Sequence, residues 1–316
     1  MVTITKIERH HANFPAVLKS YYQLTKPRII PLLLITTAAA MWIASEGRVD
    51  LLKLFITLIG GTLAAASAQT LNCVYDQDID YEMLRTRERP IPAGRVKPRH
   101  ALIFAFILGI VSFSLFAVFV NLLSGCLAMS GIVFYLLIYT HFLKRHTTQN
   151  IVIGGAAGSI PPLVGWAAVT GDLSLTPWLL FAIIFLWTPP HFWALALMIK
   201  DDYAQVNVPM LPVIEGEEAT VKQIWIYTLL VVPLTLLLVY PLHSCGWFYG
   251  AIAVILGWQF IVKAWELKQA PTDKMVARSL FKFSILYLML LCLAMVIDSL
   301  PIIQTLSIKL MSDWPL

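Results

Sequence analysis

The sequence predicts an all-α fold, a polytopic membrane protein whose nine transmembrane helices surround a central cavity. Composition is the first ground: of 316 residues, 59% are apolar and only 13% charged, where soluble domains carry about 25% charged residues. The mean hydropathy of +0.76 agrees. Run length is the second, because a helix needs roughly 20 apolar residues to cross the hydrocarbon. The third is the lack of the alternating polar pattern a spanning barrel requires, which leaves helices as the spanning form.

The first span, near 28–46, follows the polar segment 1–27, which lacks the charged, apolar and cleavage regions of a signal peptide. The second, near 54–74, follows the short turn "SEGRVD" and ends in an acidic and then basic stretch, "LNCVYDQDIDYEMLRTRERPIPAGRV". The third and fourth, near 101–121 and 124–141, are joined by "NLLSG". The fifth, near 150–170, carries Gly154 and Gly158 as GxxxG, a spacing used for close helix packing, and Pro161 and Pro162, which break it. After "TGDLSLT" comes the sixth, near 176–199, which Pro189 and Pro190 also disrupt. The seventh, eighth and ninth lie near 223–243, 247–265 and 280–299, with "LHSCG" between the seventh and eighth. Residues 28–299 thus form the membrane domain and 300–316 a short tail.

Charge orients these spans. With the N-terminus cytoplasmic, all of the 23 Lys and Arg except Arg48, Lys53 and Lys309 fall on the inner side. The tail is then external. The net charge of +5 reflects topology and contact with anionic membrane lipids, not nucleic-acid binding. The cysteines Cys73, Cys126, Cys245 and Cys292 are far apart and form no CxxC. They read as small buried apolar residues without a disulfide or zinc framework.

Function concentrates in the two long inner loops, after spans two and six. Asn72, Asp76 and Asp80 are spaced i, i+4, i+8. On a helix they share one face over about 12 Å, while Asp78 points elsewhere. Carboxylates at a helix C-terminus oppose the dipole, and acids in membrane helices are functional candidates. Three oxygen donors on one stripe suit Mg²⁺, which takes one or two carboxylates and completes its shell with water and phosphate. The plain alternative is a solvated helix end. Arg85, Arg87, Arg89 and Arg95 follow, with Pro90 and Pro92 stiffening the loop. Arginine grips phosphate oxygens bidentately, so acids for the cation beside guanidiniums for phosphate describe a diphosphate site. Topology alone also places basic residues here, and Lys26 and Arg28 of "LTKPR" share that ambiguity.

The second cluster is "LWTPPHFWALALMIKDDY". His191 sits at the proline break among Trp187, Phe192 and Trp193. It is either a structural partner of a freed backbone group or a contact for a planar, metal-bearing substrate within the membrane.

At these residues the chain resembles the UbiA-type intramembrane prenyltransferases. The resemblance rests on "LTKPR" (24–28), "NCVYDQDID" (72–80), "RTRERPIPAGR" (85–95), "YTHFLKR" (139–145), "GGAAGSIPPLVGW" (154–166), "TPPHFWALAL" (188–197) and "VPMLPV" (208–213). The PPHFWALA and VPMLPV stretches point to the branch whose acceptor is haem. The resemblance implies a bacterial inner-membrane enzyme that transfers the farnesyl group of farnesyl diphosphate to haem B, possessing a Mg²⁺ cofactor and passing its product toward terminal oxidases and their assembly factors. It implies metal ligation by Asn72, Asp76, Asp80 and Asp202, with Lys200 beside them. It implies substrate contacts from Lys26, Arg28, Arg85, Arg89, Lys144, Arg145, His191, Trp193 and Tyr203. One departure stands out. A second DxxxD motif after span six is absent: the stretch reads Lys200, Asp201, Asp202, Tyr203, and Val206 stands four residues beyond Asp202.

Two other functions compete. A divalent-cation transporter would use paired acidic helix ends and broken helices, but its path needs polar residues across the membrane, and the strong clusters here lie on one face. A quinone-precursor aromatic acid as acceptor needs a partner for its carboxylate, and His191 with its aromatic neighbours fits a porphyrin better.

Overall fold

The computed structural model describes residues 14–303, and every regular element among them is helical. The first helix, α1 (Phe14–Leu24), falls in the segment read from sequence as polar. It turns Phe14, Leu18 and Tyr22 outward at i, i+4, i+8 and buries Ser20 and Leu24. An exposed apolar stripe of this kind suits a helix lying in the membrane interface.

The helix α2 (Ile30–Ala44) has only 15 residues. A left-handed turn at Lys26 (φ 47°) precedes it, and another at Glu46 and Gly47 (φ 50° and 76°) ends it. The expected count of nine is therefore corrected: among the described residues eight helices are long and apolar enough to cross by themselves, and α2 reaches that length only with its flanking turns. The described elements continue with α3 (Leu51–Tyr75), the short α4 (Gln77–Glu82) and α5 (Pro98–Phe119). Then α6 (Leu122–Val133) runs on as a π-helical stretch, Phe134–Leu143. α7 (Asn150–Ser159) and α8 (Pro161–Thr170) make one span, interrupted where Pro161 and Pro162 remove N–H donors. α9 (Leu175–Met198) is followed by the short α10 (Lys200–Gln205) and α11 (Leu211–Ile214). α12 (Gly216–Leu236), α13 (Trp247–Gln269) and α14 (Lys274–Asp298) complete the bundle.

The expected break in the sixth span is not found. α9 runs unbroken through Pro189 and Pro190. Residues 187–191 are all buried against neighbouring elements, and such packing holds proline-containing helices together within membranes.

In lipid, helices gain little from burying apolar surface against one another, so small residues and polar contacts bring them together. Ser67 on α3 donates to the Ala105 carbonyl at 2.8 Å, and Ser112 on α5 donates back to the Gly60 carbonyl at 2.7 Å. Gly165 lets α8 pack on α2, where a Cβ would strike the Thr37 carbonyl oxygen. Of the GxxxG pair, Gly154 faces the Tyr139 ring, whereas Gly158 has nothing near its Cβ direction. Outward side chains such as Phe106, Ile110 and Trp258 are apolar and exposed, as a lipid-facing surface requires. The same surface explains the exposure of Cys126; all four cysteines are free, and only the other three are buried.

Candidate active site

Helical hydrogen bonding carries α3 into α4. The Asp76 N–H donates to the Asn72 carbonyl at 2.9 Å, and the Asp80 N–H to the Asp76 carbonyl at 2.8 Å. The i, i+4, i+8 stripe therefore survives the joint. Asn72, Asp76 and Asp80 are 3%, 1% and 3% exposed and line a cavity of about 120 Å³. Asp78 turns outward, and Arg145 clasps it with two contacts of 2.7 Å. That contact holds the Asp78 carboxyl below its usual range and the Arg145 guanidinium above its own.

Each residue of the stripe meets its own cation. Lys26 donates to Asn72 Oδ1 at 2.5 Å, and Lys144 to Asp76 Oδ2 at 2.5 Å. Arg89 reaches both Asp80 oxygens, at 2.8 and 2.7 Å. Burial opposes the charge of Arg89, but Asp80 outweighs it and raises the pKa. Lys26 is so deeply enclosed that burial lowers its pKa. Its left-handed backbone costs roughly 1–3 kcal/mol, the kind of strain that clusters at functional sites. Asn72 also donates to Asp76 Oδ2 at 2.8 Å and to the Thr140 hydroxyl at 3.2 Å.

The opposite wall comes from the π-helical stretch. Its i, i+5 backbone bonding joins the Lys144 N–H to the Tyr139 carbonyl at 2.8 Å, and the Thr140 side-chain hydroxyl donates to the Tyr135 carbonyl at 2.9 Å. This register aims Tyr135, Tyr139 and Lys144 into the cavity; such insertions recur at functional sites. The two tyrosine rings stack at 5.4 Å and 18°. Thr86, Tyr135, Tyr139 and Thr140 escaped the sequence reading. The adjoining "YTHFLKR" was the available signal; the π register was not legible.

The remaining predicted residues divide. Arg85 and Tyr203 line the cavity, and burial raises the Tyr203 pKa. Asp202 lies behind Arg85, at 3.6 Å. Lys200 turns to Glu217 at 3.5 Å, and Asp201 pairs with Lys274 at 3.3 Å. Arg28 is exposed, and Arg95 bonds Gln23 and the Glu88 carbonyl; neither lines the cavity. His191 is buried deeper on α9, between Trp187 and Phe281. Trp193 packs edge-on to Tyr227 instead of joining it.

The donor set fits a hard divalent cation. Asn72, Asp76 and Asp80 offer only oxygen, and the Asp76 Oδ1 atom is buried without a hydrogen-bond partner, with Arg145 Nη2 at 3.7 Å. Among the described residues no group of three or more His, Cys, Asp or Glu side chains forms a ligand cluster. Two carboxylates and an amide suit an ion that completes its shell with water and phosphate.

Residues 33–286 match the UbiA prenyltransferase family. A protoheme IX farnesyltransferase of Synechocystis sp. is 82% identical over 302 residues, which cover 96% of this chain and 96% of that one. The protoheme IX farnesyltransferase of Trichormus variabilis is 67% identical, over 96% and 95% of the two chains. Among solved structures, a digeranylgeranylglyceryl phosphate synthase superposes with a TM-score of 0.74 at 22% identity, covering 91% of this chain and 99% of that one. A UbiA homologue from Archaeoglobus fulgidus bound to DMAPP and Mg²⁺ superposes with a TM-score of 0.63 at 14% identity, over 88% and 99%.

Proposed function

The chain belongs to the UbiA prenyltransferase family, and from that premise we propose that it transfers the farnesyl group of farnesyl diphosphate to a vinyl group of haem B. Water adds in the same reaction, giving haem O and diphosphate. The chain is an integral membrane prenyltransferase. The observation that carries the site assignment is the buried cavity where Lys26, Arg85, Arg89 and Lys144 face Asp76, Asp80 and Asn72.

Four cations outnumber two carboxylates there, which suits a diphosphate. Lys26, Lys144 and Arg89 each hold an oxygen of the stripe. When the diphosphate enters, these donors turn to its oxygens, which leaves Asn72, Asp76 and Asp80 to hold Mg²⁺. Held by those residues, Mg²⁺ would supply Lewis-acid stabilisation of the departing diphosphate. The farnesyl C1–O bond breaks, and its electron pair leaves with the diphosphate. Lys26, Lys144, Arg85 and Arg89 stabilise the charge that develops there, already aimed and partly shielded from water. The stacked Tyr135 and Tyr139 offer ring faces to the allylic cation. The vinyl π pair then forms the new carbon–carbon bond. Water adds to the vinyl carbon left positive and releases one proton.

Within the bundle, His191 is the haem contact favoured by position, ahead of Trp193. Lys200 and Asp202 stand one layer back, Asp202 against Arg85 and Lys200 against Glu217. The charge asymmetry supports a cytoplasmic acid-bearing face in a bacterial inner membrane, with terminal-oxidase assembly factors receiving the product.

The test is incubation of the purified protein with farnesyl diphosphate, Mg²⁺ and haem B, followed by mass analysis of the porphyrin. The hydroxyethylfarnesyl product is expected, and EDTA should suppress it. Unmodified porphyrin from the complete mixture would overturn the acceptor assignment.

A further inference from the structure

Away from the diphosphate cavity, α9 and α14 are joined by a hydrogen-bonded cluster around His191 that decides how this side chain can meet haem. His191 Nδ1 lies 2.8 Å from Ser284 Oγ. Ser284 Oγ in turn lies 2.7 Å from the Phe281 carbonyl oxygen. The Trp187 indole N–H donates to the Ser284 carbonyl at 2.9 Å. The imidazole is stacked between Trp187, at 4.5 Å and 16°, and Phe281, at 4.7 Å and 21°. Phe192 meets it edge-on at 5.0 Å.

Counting protons fixes the tautomer. A hydroxyl has one proton to donate, and the Phe281 carbonyl can only accept. Both buried contacts are satisfied only if Ser284 donates to that carbonyl and accepts from His191. The Nδ1 atom therefore carries the hydrogen, and Nε2 keeps its lone pair. That is the form in which neutral imidazole binds a metal, with the partner of the other nitrogen setting ring orientation and basicity. Covering of both ring faces also decides the direction of approach. A porphyrin has no face of this ring to stack on, so only the imidazole edge is left for it. Edge-on is how imidazole meets haem iron.

We propose that Ser284 is a positioning residue that holds His191 as its Nδ1–H tautomer, so that Nε2 ligates the iron of the haem acceptor. The proposal rests on the haem reading above. It places the porphyrin about 10 Å of helical rise inward from the α9 terminus at Met198, within the bilayer. The diphosphate stays at the polar end of the bundle, and the farnesyl chain lies between the two.

The test is titration of the purified full chain, in lipid nanodiscs, with ferric haem B, read by the Soret band and by electron paramagnetic resonance. Wild type is expected to give an imidazole-ligated spectrum that His191→Ala lacks. Ser284→Ala should weaken haem binding by about tenfold or more, the usual loss when the partner of a metal-binding histidine is removed. Ser284→Thr, which keeps the hydroxyl, should restore it. Identical spectra for wild type and His191→Ala would overturn the ligation. Wild-type affinity and spectrum in Ser284→Ala would overturn the role of Ser284. Should that variant fail to fold, Ser284→Cys keeps the size, weakens both hydrogen bonds and decides the same point. Farnesyl transfer measured in parallel separates the two readings. A wild type that makes farnesylated haem without a histidine-dependent spectrum refutes only this proposal, whereas one that makes none refutes the haem acceptor.

Discussion

Asp76 is the most enclosed group on the acidic stripe, and its neighbours dictate what its loss should do. Lys144 sits on one of its oxygens, while the other has no hydrogen bond. Replacing Asp76 or Asp80 with Asn keeps the size and removes the charge. Loss of a group that only supports a metal ligand already costs 10–100-fold, so each variant should lose more than about 100-fold in transfer. Each should also stop responding to Mg²⁺ while remaining folded. Full turnover of either variant in saturating EDTA would refute metal binding here. The second prediction reverses the logic. Lys144→Met leaves the buried Asp76 carboxylate with only the Asn72 amide and the more distant Arg145 guanidinium, and breaking a buried pair costs up to roughly 3 kcal/mol. Added Mg²⁺ should restore much of that in thermal unfolding and stabilise wild type less; a variant indifferent to Mg²⁺ would count against the site. The stripe itself was legible from sequence, because i, i+4, i+8 shares one face wherever helical bonding continues, as it does through the joint of α3 and α4. Its partners were not, since Lys26 and Lys144 lie 46 and 68 residues away along the chain and only tertiary packing brings them in.

Two elements show how context overrides local rules. Pro189 and Pro190 read as a break, yet α9 continues, because neighbouring helices packed on both sides hold a proline-containing helix together within the membrane. Conversely, nothing in "FYLLIYTHFL" announces a π register, although that register aims Tyr139 and Lys144 at the cavity. Gly154 leaves room for the Tyr139 ring. In Gly154→Ala the new methyl must push that ring toward the substrate, and misplacement of about 1 Å can cost about 100-fold in rate. Gly158→Ala, at a position with open space, should transfer at the wild-type rate. Equal rates for the two variants would remove Tyr139 from the machinery. Far from that site, Asp298 at the end of α14 accepts from the Gly246 and Tyr249 N–H groups and so caps α13. Hydrogen bonds to a charged group contribute about 1.5–3 kcal/mol. Asp298→Ala should therefore lower the unfolding temperature of the bundle and leave transfer kinetics unchanged below it.

At the scale of the whole molecule, the short α2 decides how the chain is threaded. Its 15 residues rise only about 22 Å, against a hydrocarbon core of about 30 Å, so length alone does not make it a span. Its ends make the stronger argument. Just before α2, Lys26 touches Asn72 at the acid-bearing end of α3. Just after it, Gly47 packs on Ser299 beyond the end of α14, where a Cβ would strike the Ser299 carbonyl oxygen. α3 then begins at Leu51 and returns to the acids. A helix whose two ends meet opposite ends of its neighbours runs alongside them together with its flanking turns, which predicts that the chain changes sides between residues 26 and 47. Cysteines introduced one at a time give the readout, using a membrane-impermeant maleimide on sealed vesicles. Lys19, Glu88 and Asp172 are exposed and lie in α1, in the loop after α4, and in the turn between α8 and α9. Lys19→Cys and Glu88→Cys should label from one side and Asp172→Cys from the other. If α2 only dipped into the bilayer and returned, Lys19→Cys would label together with Asp172→Cys. The lysine at position 26 would then have no route to the stripe, and the cavity with its excess of cations would lose one wall.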